Sequence, residues 1–126
     1  MYDFGMQIDT EADGLAVGTA SRLVGKHIHN ILSGCYTVTD KDLFIALYHL
    51  YQKENMAIEP SAAAGFMGPE MICNSREGKS YLKEHKLSGK MKQANHIIWT
   101  TGGGLVPENE FKSFYNRGEI LSRAGA

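Results

Sequence analysis

Two rhythms of apolar positions run along the chain, one helical and one short-range. The clearest helical stretch places Leu43, Leu47, Leu50 and Tyr51 at three- and four-residue steps, with Lys41, His49 and Lys53 on the opposite face. Thr39-x-x-Asp42 stands just before it and resembles a capping box with Asp in place of Glu. Val24, Ile28, Ile31 and Leu32 predict a second helical face, with Thr19 or Ser21 as its cap and Gly34 just past its end. Phe111, Phe114 and Tyr115 predict a third behind Pro107, with Glu108 and Glu110 at the end the helix dipole favours. Ser61 predicts the cap of a helix of small residues, Ala62 to Met67, which Gly68-Pro69 breaks or kinks. Residues 70 to 92 predict a helical stretch and an exposed loop around Gly89.

The other rhythm consists of short β-branched and aromatic runs. Cys35 to Thr39, Met56 to Ile58 and His96 to Thr100 each predict a short strand, the second ending at Glu59-Pro60. Met1, Phe4, Met6 and Ile8 suggest a short extended piece, and Gly14 and Gly18 bracket a tight loop. Strands alternating with helices predict an α/β fold in one region, residues 1–126, without internal repeats.

Composition narrows the function classes. With 13 Lys+Arg against 14 Asp+Glu, the net charge of −1 leaves no electrostatic footprint for nucleic acid or an anionic membrane. The longest apolar runs, such as Leu43 to Leu47, fall far short of a bilayer span. The first residues carry acid rather than a basic start, so they do not read as a secretory signal. Cys35 and Cys73 match no metal or redox spacing and read as reduced thiols of a cytoplasmic protein. The five histidines read as structural, and no His, Cys or Asp group has metal-ligand spacing.

Three short segments carry possible chemistry. Trp99-Thr100-Thr101-Gly102-Gly103-Gly104 reads as strand, glycine turn and helix, the edge where α/β proteins hold ligands. Adjacent glycines cost order, which favours a ligand over a plain turn, yet no P-loop ending follows. Glu59-Pro60-Ser61 places a carboxylate at a strand end; taken alone it is a cap with a solvated glutamate. Asp13-Gly14 alone is a turn.

In order, however, these segments resemble a known family. Ala12-Asp13-Gly14-Leu15-Ala16-Val17-Gly18, Glu59-Pro60-Ser61-Ala62-x-Ala64-Gly65 and Trp99-x-Thr101-Gly102-Gly103-Gly104-x-Val106-Pro107-Glu108 are similar to the C-terminal part of D-serine dehydratase. Gly34-x-Tyr36-Thr37-x-x-Asp40 and Gly68-Pro69 resemble it too, so the likeness runs from about Phe4 to Gly118. The resemblance implies a pyridoxal-phosphate lyase of the tryptophan-synthase-β fold type (fold type II). This chain would be the C-terminal part of its large three-layer domain, with helices alternating with short strands.

The implied reaction takes D-serine to pyruvate and ammonia, with D-threonine as a slower substrate. Thr101 maps to the hydroxyl that faces the pyridine nitrogen, ahead of Gly102. Asp13 and Gly14 map to a loop near the cofactor ring, and Glu59 to the active-site end of its strand. The lysine that bonds the cofactor and the glycine-rich phosphate cradle belong upstream in the family. The chain alone is therefore expected to be inactive. It is also expected to self-associate through apolar faces meant to be covered. Another lyase of this fold, acting on L-threonine or L-serine, and a non-catalytic anion-binding module are the alternatives.

Overall fold

The computed structural model describes residue 5 and residues 8–125. Among them the α/β expectation is overturned: the elements are five α-helices and three 3₁₀ helices, with no strand. The α-helices are α1 (Arg22–Ile28), α2 (Asp40–Glu54), α3 (Gly68–Asn74), α4 (Arg76–Glu84) and α5 (Glu108–Ala124). The 3₁₀ helices are Asp13–Leu15, Pro60–Met67 and Ser88–Gln93.

The three predicted strands run as irregular segments, and the reason is pairing. A strand exists only as part of a ladder. Just beyond the second and third segments one backbone bond forms, from the Glu59 N–H to the Gly102 carbonyl at 3.2 Å. A single bond leaves the rest of each segment unpaired. Without a sheet there are no three layers, so that expectation falls with the strands. The extended piece suggested over Met1 to Ile8 lies almost wholly outside the described residues.

α2 forms where its pattern predicts. Thr39 and Asp42 make a full capping box: the Asp42 N–H donates to Thr39 Oγ1 at 3.3 Å, and the Thr39 N–H donates back to Asp42 Oδ2 at 3.0 Å. At the other end Asn55 takes the left-handed conformation, φ 52°, and closes the helix. Leu43, Phe44 and Leu47 are buried, and Ala46, Ile58, Ala62, Ala63 and Ala12 complete the core around them.

α5 packs on α2 through a set of aromatic pairs. Phe44 stacks on Phe114 at 5.7 Å, Tyr48 tilts against Tyr115 at 5.1 Å, and Tyr51 meets Phe111 at 5.0 Å. Gly118 makes the closest approach. A β-carbon there would fall 2.2 Å from the Phe44 carbonyl oxygen, so only glycine lets the two backbones meet. The Arg117 guanidinium lies 4.2 Å over the Phe44 ring.

Other local expectations shift. Ser21 caps α1, which stops at Ile28, and Gly34 lies well beyond its end. The α1 face stays largely solvated, with Val24, Ile31 and Leu32 all exposed. The small-residue segment winds as a 3₁₀ helix with Glu59 at its N-cap and no side-chain cap bond, so Ser61 does not cap it. Gly68-Pro69 does mark a break: the winding changes from 3₁₀ to α there, with Pro69 in the first turn of α3. Gly89 is exposed, within the 3₁₀ helix Ser88–Gln93 rather than a free loop.

Candidate functional site

The three segments singled out in the sequence converge on one side chain, Glu59. The Glu59 peptide bonds Gly102, as described above, and its carboxylate packs over the same residue. A β-carbon at Gly102 would lie 2.6 Å from Glu59 Cδ and Oε1. Gly103 crosses beneath with φ +150°, and a β-carbon there would lie 2.5 Å from Ile58 Cα and 2.6 Å from the Ala57 carbonyl. Gly103 is therefore required by its close approach to the backbone of residues 57 and 58, whereas a side chain at Gly102 would displace only the Glu59 carboxylate. Gly104, by contrast, has open space around it.

The Asp13-Gly14 turn closes the cluster from the other side. The Gly14 N–H donates to Ser61 Oγ at 3.0 Å, and a β-carbon at Gly14 would lie 2.9 Å from the same oxygen and 3.7 Å from Glu59 Oε1. The turn is a single 3₁₀ coil, held by the Leu15 N–H bonded to the Ala12 carbonyl at 2.8 Å. Ala12 anchors it, since it is buried in the main core.

Of the five predicted site residues, Asp13, Gly14, Glu59 and Gly102 are thus drawn together, and Thr101 adjoins them through Gly102. Glu59 and Gly102 are half-buried; Asp13, Gly14 and Thr101 are exposed. Among the described residues, no hydrogen bond or ion pair engages the side chains of Asp13, Glu59 or Thr101. The cluster therefore offers a hydroxyl and two carboxylates whose bonding capacity is unspent among the described residues.

That donor set suits a polar ring edge and repels a phosphate, because like charges disfavour one another. One end of an aromatic, phosphorylated cofactor fits such a wall. Its anionic end would have to lie elsewhere. Among the described residues no three His, Cys, Asp or Glu side chains are placed to hold a metal ion. No helix among them is long and apolar enough to cross a membrane. Cys73 is half-buried, while Cys35 is exposed, and both thiols are free.

Two features escape the sequence. Ser61 reads as a helix cap but its hydroxyl instead latches the Gly14 turn; no local pattern signals a partner 47 positions away. An open cavity of about 890 Å³ also lies on the far side of Gly65, lined by residues that include Tyr36, Gly68, Ile98 and Trp99. None of the five predicted residues lines it. Its one sequence signal is the pair Gly65 and Gly68, where β-carbons would fall 2.7 Å from Ile98 Cγ2 and 3.2 Å from the Tyr36 hydroxyl.

No protein-family model matches the chain. Individual proteins do. A probable D-serine dehydratase of Geobacillus kaustophilus is 46% identical over 118 residues, 94% of this chain and 27% of that protein. One of Desulfitobacterium hafniense is 47% identical over 119 residues, again 94% of this chain and 27% of the relative. One of Hahella chejuensis is 46% identical over 114 residues, covering 90% of this chain and 26% of the relative. The chain spans about a quarter of the length of these relatives. Nearly end to end, the chain is thus similar to a portion of the D-serine dehydratases, the family its motifs resemble.

Proposed function

We propose that this chain supplies one wall of a pyridoxal-phosphate site in a D-serine dehydratase, a cytoplasmic lyase that converts D-serine to pyruvate and ammonia. The observation that carries the reading is the convergence of the Asp13-Gly14, Glu59-Ser61 and Thr101-Gly102 segments on one exposed cluster. Similarity to proteins named probable D-serine dehydratase supports the substrate over the L-amino-acid alternatives.

When bound, the cofactor supplies an electron-withdrawing ring and a covalent attachment for the amino acid. The residues here act around it. The Thr101 hydroxyl would meet the pyridine nitrogen as a neutral partner. A carboxylate in that place would hold the nitrogen protonated and strengthen its electron withdrawal. A hydroxyl would leave that withdrawal weaker. The Glu59 N–H bonds the Gly102 carbonyl, which holds the backbone that carries Thr101. Asp13 and Gly14 would lie near the ring. The role of the chain is non-covalent, and the bonding lysine comes from elsewhere in the enzyme.

Thr101→Asp in the complete enzyme tests this. The expected result is a shifted cofactor absorbance and less elimination relative to side reactions. Unchanged absorbance and partitioning would overturn the reading. Treating the chain with pyridoxal phosphate and borohydride gives a second check: specific, stable labelling of one of its own lysines would contradict a non-covalent role.

A further inference from the structure

The motif Gly34-x-Tyr36-Thr37-x-x-Asp40 ends on a residue that does not touch the cluster. Asp40 opens α2 and is half-buried. Its carboxylate bonds the segment before the Asp13-Gly14 turn. Oδ1 accepts the Thr10 hydroxyl, and Oδ2 accepts the Glu11 N–H at 2.9 Å. Thr10 Oγ1 in turn accepts the Ala12 N–H at 3.1 Å. Ala12 then closes the turn through Leu15, and Gly14 lands on Ser61. Hydrogen bonds and the short backbone of the turn together therefore join the first residue of α2 to the cluster.

Two simpler roles do not account for these bonds. Capping of α2 is already performed by Thr39 and Asp42. An acid in the first turn does favour the helix dipole, but that effect needs no contact with residues 10 and 11. A second tie exists between Arg117 and Glu11, 2.6 Å apart, yet their side chains are 45% and 52% exposed. Ion pairs that solvated hold geometry weakly. A carboxylate that takes two bonds on two oxygens is the firmer anchor.

We propose that Asp40 is a positioning residue that sets the Asp13-Gly14 turn against Glu59 and Ser61. Its meaning for catalysis rests on the cofactor-wall reading above; its effect on the turn does not.

Hydrogen–deuterium exchange of the Glu11 and Gly14 amides in the chain tests it. Asp40→Ala speeds exchange at both amides fivefold or more and leaves the buried centre of α2, at Leu47, unchanged. Thr10→Val does the same at Gly14 with the first turn of α2 intact, so the test survives if Asp40→Ala fails to fold. Asp40→Asn keeps an acceptor for Glu11 and restores most of that protection. Asp42→Ala, which breaks the capping box, frays the start of α2 and leaves Gly14 protected. Gly14 exchange within twofold of the parent in both Asp40→Ala and Thr10→Val would overturn the proposal, as would an equal effect of Asp42→Ala. Faster Gly14 exchange in Asp40→Ala, with cofactor absorbance of the complete enzyme unchanged, would uphold the positioning role and overturn the cofactor-wall reading instead.

Discussion

The α2–α5 pair and the segment from residue 94 to 105 use similar apolar residues to opposite ends. In the pair Leu43, Phe44 and Leu47 are all buried, and rings from both helices interlock. In the segment Ile97 is 95% exposed, Trp99 85% and Leu105 99%. The difference is one of backbone bookkeeping. A helix satisfies its own N–H and carbonyl groups and needs a partner for only one face. An extended segment must find partners for its backbone and for both of its faces. Here, among the described residues, the backbone of residues 94 to 105 makes one bond to a distant segment, from Glu59 to Gly102; its other bonds, at Ala94 and Gly103, are to residues three positions away.

Substitutions can break or sharpen that comparison. Phe44→Ala removes the ring shared by Phe114 and Arg117, and should cost about 4 kcal/mol, as large-to-small core changes do; urea unfolding of the chain measures it. Gly118→Ala puts a methyl group into the Phe44 backbone and should cost about 2 kcal/mol even after the helix-propensity gain of alanine. A Gly118→Ala chain as stable as its parent would show that the α2–α5 pair is looser than its packing implies. Asp42→Ala opens the capping box and should cost about 1 kcal/mol, read as a lower Tm. Trp99→Ser should change stability by less than about 0.5 kcal/mol, since the ring is nearly solvated. Its larger effect should appear in light scattering, where the parent is expected to self-associate through Ile97, Trp99 and Leu105 and the variant less so. If Trp99→Ser destabilised the chain as much as Phe44→Ala, the contrast between the two regions would collapse.

The same contrast explains what the sequence revealed. α2 was legible because its apolar spacing, its Thr39 cap and its own hydrogen bonds all lie within one stretch. α5 was legible from Pro107 and the Phe111, Phe114 and Tyr115 face. The strand predictions over 35–39, 56–58 and 96–100 failed because residue type records a preference for pairing and not the presence of a partner. The helix predicted through Ile31 and Leu32 was cut short at Ile28, since most of its apolar stripe stays solvated and gives little packing to extend it. The grouping of Asp13, Glu59 and Gly102 was anticipated only as a set of matching motifs. Nothing local to them signals that Ser61 receives Gly14 or that Asp40 reaches Thr10.

The crossing at Gly103 also bears on which length changes this chain can absorb. The space a β-carbon would take there is occupied by the backbone of residues 57 and 58. Residues added among the exposed positions 94 to 97 would bulge into solvent and leave the crossing in place. One residue added between Gly102 and Gly103 would separate the bond to Glu59 from the gap beneath Ile58, and no neighbouring side chain could take the glycine's place. Length variation in this part of the molecule should therefore stop abruptly at Thr101 and resume only beyond Gly103.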